Sequence, residues 1–200
     1  MLALLRDDGY RVVMSRIDDR LLILPNTANM STGMLTLTGV HNDIEARIAC
    51  ANAGRADALV SLHFNAYLDP SVNGAETIYD SARPFSAASA RLASLAQQDM
   101  LAQFSAAGWE VPDRGVMDDS IAGTPSFSAE AAAYGHLLEL GPGAAGWLTD
   151  PSAMPGILVE PLFLSHPAEA DVAASDLGRQ AMARGLVAAL DTFFGAAPKS

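Results

Sequence analysis

Two stretches decide the fold: Ala58-Leu-Val-Ser-Leu-His-Phe64 and Gly156-Ile-Leu-Val-Glu-Pro-Leu-Phe163. Each is a short apolar run bounded by turn-forming residues, and each is interrupted by a polar side chain, as expected of strands buried in a sheet with covered faces. Period-two geometry sets Leu59, Ser61, His63 and Asn65 on one face of the first strand and Val60, Leu62 and Phe64 on the other. Its polar residues therefore gather toward the C-terminal end. In the second run Glu160 is the lone charge, on the face that carries Leu158 and Leu162. A carboxylate there must be paired, bound to a cation or held in a cleft, because burying it alone is costly. In open α/β sheets the crevice beyond the strands' carboxyl ends is the usual ligand site. The plain alternative makes Glu160 the partner of a structural arginine and His63 a hydrogen-bonded core histidine.

Outward from these strands the pattern alternates. Leu2, Leu4 and Leu5 before Gly9 predict a helix end, and Tyr10 to Arg16 predicts a strand. Residues 17–41, with Pro25, Asn26, Asn29, Gly33 and Gly39, predict a long loop or flap. Asn42 or Asp43 is expected to cap a helix with Ile44, Ile48 and Ala51 inward, ended by Gly54. Ala75 to Tyr79 reads as a further strand. Ser86 to Ala107 reads as a helix burying Leu92, Leu95, Met100, Leu101 and Phe104, stopped by Gly108. Residues 109–135 read as irregular, Leu137 to Leu140 as a short strand and 141–155 as a Gly- and Pro-rich loop. A closing helix is expected from about Ser175 to Phe194. The sum is a three-layer α/β fold: a mostly parallel or mixed sheet with helices on both faces.

The chain has 200 residues, half of them hydrophobic and 18% charged, which suffices for one domain over 1–195 with a polar tail at 196–200. With 12 Lys and Arg against 23 Asp and Glu the net charge is −11. Such a surface repels nucleic acid and anionic membranes. No apolar run approaches a membrane span. The single cysteine, Cys50, excludes an internal disulfide and reads as a buried helical thiol. Met1-Leu-Ala-Leu-Leu5 runs at once into Arg6-Asp-Asp8, so these residues are not expected to form a leader peptide. Oligomeric state has no sequence signal.

The words Arg47-Ile-Ala-Cys-Ala-Asn52, Ala56-Asp57-Ala-Leu-Val-Ser-Leu-His-Phe-Asn-Ala66, Gly74-Ala-Glu76 and Met154-Pro-Gly-Ile-Leu-Val-Glu-Pro-Leu-Phe-Leu-Ser165, followed by Glu169, add order and spacing. Together they resemble the zinc-dependent N-acetylmuramoyl-L-alanine amidases over nearly the whole chain. The resemblance implies His63 as a zinc ligand, Glu160 as the catalytic glutamate, and Ser61, Asn65 and Arg114 as supporting or substrate-binding residues. It also implies a Zn2+ cofactor, hydrolysis of the amide between N-acetylmuramic acid and L-alanine, and a cell-envelope or secreted location. The partners implied are the stem peptide and muramic acid of peptidoglycan. Zinc lowers the pKa of a bound water to about 7 and polarises a carbonyl, and a neighbouring glutamate can carry the water's proton to the leaving amine. Asp57 and Arg47 read as structural.

The family's first strand ends in a Gly-His-Gly-Gly-like loop giving one histidine ligand, and the next helix gives a glutamate ligand; both would precede Met1. His41, His136 and His166 match neither. One of three expected ligands is present, so the 200 residues as written are expected to bind zinc weakly and to be inactive alone. The competing class is a degenerate module that binds peptidoglycan or a partner protein without cutting.

Overall fold

Thr36 starts the first long helix: its hydroxyl accepts from the Gly39 amide, and the helix runs Leu37–Ala53 (α2). Before it come the short helix Leu2–Asp7 (α1), ended by Gly9 at φ 88°, and a hairpin of Met30–Ser31 (β1) and Met34–Leu35 (β2). After it follow Leu59–Leu62 (β3), Ala75–Tyr79 (β4), Ser86–Ala106 (α3), Asp113–Asp118 (β5) and Ala129–Tyr134 (α4). Gly156–Glu160 (β6), Pro167–Ala174 (α5) and Asp176–Phe194 (α6) complete the order. The structure is a computed structural model and describes residues 1–121 and 129–195.

The central sheet is mixed, in the order β3-β6-β4-β5. The pairs β3/β6 and β4/β5 are parallel, and β4/β6 is antiparallel. Alternation sorts its side chains cleanly. Ala75, Ile157 and Val159 turn to the main core with Leu92, Ala96, Met100 and Phe104 of α3 and Met182, Leu186 and Leu190 of α6. Ile78 and Leu158 turn the opposite way, onto Leu137 and Leu140. Helices thus flank both sides, α3 and α6 on one, α2 toward the other. The two covering helices approach closely at Gly185, where a Cβ would stand 2.5 Å from the Met100 backbone. Any side chain there would push them apart. Among the described residues no helix is long and apolar enough to cross a membrane.

Several expectations are corrected. Tyr10 to Arg16 pairs with nothing as a strand. A groove of about 560 Å³, lined by this segment and by Ala58 to His63, replaces the ladder they would share. The helix expected to be capped by Asn42 or Asp43 begins at least six residues earlier because Thr36 is the cap, so His41 lies on α2, stacked edge-on to Trp147, rather than in a flap. Asp43, 1% exposed, instead accepts from the Leu22 amide and pairs with Arg47, pinning the preceding loop to the helix. Cys50 is only half-buried. Leu137 to Leu140 forms turns, not a strand, and the region expected to be irregular contains β5 and α4. β5 is an edge strand, which needs no apolar run, so its charged sequence gave no strand pattern. The helix α5 was likewise missed. Of the polar tail, 196–200 lies outside the described residues.

Candidate functional site

The β3/β6 register brings the two deciding stretches side by side. Leu62 pairs with Val159 and the His63 amide donates to the Val159 carbonyl at 3.0 Å, so His63 and Glu160 end adjacent parallel strands. Ser61 stands opposite Leu158, on the face turned away from α3 and α6, and His63 follows on that face by alternation. The His63 Nε2 atom lies 3.0 Å from Ser61 Oγ and 3.6 Å from Glu139 Oε1. The Glu139 carboxylate is almost fully buried, at 8% exposure, whereas the imidazole is 37% exposed.

Glu160 meets a second acid across the antiparallel pair β4/β6, where Glu76 is its register partner. Asn65 Nδ2 joins the two, donating to Glu76 Oε1 at 2.8 Å and to Glu160 Oε2 at 2.5 Å. The Arg114 Nε donates to the other Glu76 oxygen at 2.5 Å, and its guanidinium lies over the Phe163 ring. A bulge aims that arginine: Ala75 pairs with Asp113 and Glu76 with Gly115, leaving Arg114 as the extra residue beside a glycine at φ 88°. Burial, reinforced by the hydrogen bond and charge of Glu76 and opposed by Arg114 and Asn65, pushes the Glu160 carboxyl up to about 8. One proton is therefore held on this pair at neutral pH.

The structure brings Asn65 directly to Glu160, Arg114 to it through Glu76, and Ser61 to His63. The plain alternative for Glu160 does not hold in its simple form, since Arg114 pairs with Glu76 rather than with it. Sequence reasoning left Glu76 and Glu139 without roles, although each interrupts an apolar word, Ala75-Glu-Thr-Ile and Leu137-Leu-Glu-Leu, just as Glu160 does. Glu169, quoted with the second stretch, serves the scaffold: buried, it accepts from the Gly74 and Phe163 amides. His166 caps α5 through the Glu169 amide.

His63 Nε2 and Glu139 Oε1 are spaced as two ligands of one zinc ion would be. The third ligand that catalytic zinc requires is not there: among the described residues the one grouping of three His, Cys, Asp or Glu close enough to share an ion is Asp80, Asp119 and His136. The donor set around His63 is thus incomplete for zinc.

A family model described as N-acetylmuramoyl-L-alanine amidase matches residues 1–192. No curated protein matches the chain. Among solved structures, the CwlD amidase of Clostridioides difficile, in complex with the GerS lipoprotein, is similar at TM-score 0.69 and 18% identity, over 98% of this chain and 81% of that one. The catalytic domain of CwlV, an N-acetylmuramoyl-L-alanine amidase from Bacillus (Paenibacillus) polymyxa var. colistinus, gives 0.64 and 17%, over 98% and 79%. The amidase Ami1 of Mycobacterium smegmatis gives 0.60 and 21%, over 98% and 72%.

Proposed function

Because the chain belongs to the N-acetylmuramoyl-L-alanine amidase family, we propose that it acts on peptidoglycan, hydrolysing the amide between the lactyl group of N-acetylmuramic acid and the L-alanine of the stem peptide. The observation that carries this reading is Glu160: an acid at a strand end beside His63, braced by Asn65 and held protonated up to about 8. In hydrolysis the water oxygen adds to the amide carbon, the C–N bond breaks, and the water's proton must reach the departing nitrogen. A carboxyl with a raised pKa is suited to deliver that proton, and its conjugate base to collect it. Arg114, aimed by the bulge and partly exposed, supports the substrate side of the cleft. Substrate and location in the cell envelope or outside the cell follow from this reading.

Zinc would supply a polarised carbonyl and an acidified water. His63 and Glu139 offer two donors for it, and no step is assigned to the metal on so incomplete a set. The groove beside β3 supports a source for the missing ligand. It is lined by the unpaired edge strand β3, by Tyr10 to Arg16 and by Leu190, Phe194, Ile48 and Ala51. Such a slot has the form of a strand position in the sheet, and a segment preceding Met1, ending in a Gly-His-Gly-Gly-like loop, would fill it and deliver a histidine toward His63. Coding sequence upstream of Met1 gives the first check. The chain extended by that segment should release stem peptides from peptidoglycan in a zinc-dependent way. An extended chain that binds peptidoglycan and cuts nothing with zinc present would replace the enzyme with a binding module.

A further inference from the structure

We propose that Asp80, Asp119 and His136 form a site for one divalent transition-metal cation, at the opposite ends of β4 and β5 from Glu76 and Arg114. The strands themselves build it. Tyr79 and Asp118 are in register on parallel neighbours, and the Asp119 amide donates to the Tyr79 carbonyl at 2.8 Å, so the next residues, Asp80 and Asp119, emerge side by side. His136, in the turn after α4, places Nδ1 3.0 Å from Asp80 Oδ2 and 3.2 Å from Asp119 Oδ1. All three ligand atoms lie within 4.8 Å of one another.

Burial makes this more than an acidic cluster. Asp80 is 2% exposed and Asp119 0%, and Asp80 Oδ2, facing His136, accepts no hydrogen bond. The neighbouring donors are spent elsewhere. Arg83 donates to the carbonyls of Gly141 and Ser152, Tyr134 to that of Pro142, the Ala82 amide to Asp80 Oδ1 and the Leu137 amide to Asp119 Oδ2. A buried carboxylate oxygen left open toward a second carboxylate and an imidazole is costly unless a cation meets it.

The chemistry of the donors selects the class of ion. Metal–nitrogen and metal–oxygen bonds of about 2.0–2.2 Å around a tetrahedral ion separate neighbouring ligand atoms by roughly 3.3–3.6 Å, close to the 3.0 and 3.2 Å from His136 Nδ1 to the two carboxylates. One imidazole with two carboxylates suits zinc or manganese, whereas calcium asks for six to eight oxygens. The imidazole is 24% exposed, which leaves a way in for the ion. Its place gives it a task. Glu139 lies three residues beyond His136, so an ion there fastens to the sheet the segment that sets a buried carboxylate against His63.

The test is titration of Zn2+ into the metal-free 200-residue chain against a chromophoric chelator, with the ring resonances of its four histidines followed by NMR. One equivalent should bind and move the His136 ring first. His63→Ala should leave this unchanged, whereas His136→Ala and Asp119→Asn should each weaken binding beyond the roughly 10–100-fold that loss of a supporting partner causes. Ca2+ should not compete. A His136 ring unmoved by saturating Zn2+, or stoichiometric binding abolished by His63→Ala and kept by His136→Ala, overturns the proposal; the former leaves the cluster a histidine held between two carboxylates. The ring measurement needs no variant, so a substitution that fails to fold does not blunt it. Peptidoglycan does not enter, so failure here leaves the amidase reading standing.

Discussion

Two pairs of acids, one partly and one fully buried, sit at opposite ends of β4 and are relieved in opposite ways. Glu76 and Glu160 share the two hydrogens of one amide, Asn65, take a guanidinium on the outer side, and keep a proton. Asp80 and Asp119 face a single imidazole, and one of their oxygens has no hydrogen bond at all. A pair with enough donors can settle its charge with a proton and leave an acid fit for proton transfer. A pair short of donors is a place for a cation. The charges are alike; the supply of hydrogens distinguishes the sites.

The strongest way to break this contrast is to remove the titrating acid. In the chain extended to complete the groove, Glu160→Gln should lower stem-peptide release by about 10²–10⁴-fold while zinc stays bound, as expected for loss of a general acid–base group. His63→Ala should lose zinc at that end and activity together. Near-full activity in Glu160→Gln would put the proton-transfer group elsewhere. A smaller effect is expected from the shared amide: Asn65→Ala leaves the buried Glu76 and partly buried Glu160 carboxyls without their common donor and should cost about 1–3 kcal/mol in urea unfolding.

The proton itself can be read from pH. The Glu160 carboxyl is raised from 4.5 to about 8, so the folded state binds its proton more tightly than the unfolded chain does. Its contribution to stability is whole below pH 4.5 and is lost as pH rises through about 8. Unfolding midpoints of the metal-free chain should therefore fall across this window, and Glu160→Gln should flatten the fall. An unchanged slope in the variant would mean that the pair holds no proton. The smallest effect belongs to Arg114→Ala. Its guanidinium is 38% exposed, so the ion pair with Glu76 should be worth less than about 1 kcal/mol, and the change should show in substrate affinity more than in unfolding.

Much of the fold was legible because its period was. Ala75 to Tyr79 and Gly156 to Glu160 are buried over four of their five residues, and such runs read directly as strands; α3 and α6 carry broad apolar faces ended by Gly108 and Gly195. β5 was not legible, because an edge strand with Asp113, Arg114 and Asp118 need not alternate. Tyr10 to Arg16 has the composition of a strand without a neighbour to pair with, and composition cannot supply a ladder. Thr36 lost to Asn42 and Asp43 as the expected cap because all three can accept from a helix amide, and only the path of residues 17–36 frees Thr36 for it while burying Asp43 under Leu22.

The candidate site divides along the same line. Sequence alone determined that His63 and Glu160 are polar residues at the ends of apolar strands, since strand period is a local fact; it overstated the burial of β3, an edge strand whose Leu62 is 48% exposed, whereas β6 is buried over four of its five residues. It also determined the acidic balance, a net charge of −11. Tertiary structure alone decided which groups they meet. Glu76 reaches Glu160 through an antiparallel register, Arg114 turns inward through a bulge, and Glu139 comes to His63 on a turn 76 residues away in sequence. Asp80, Asp119 and His136 converge because parallel strands end at one level and a later turn returns over them. Spacing along a chain encodes the face on which a side chain stands; its partners depend on register and loop paths, which follow from packing the whole core at once.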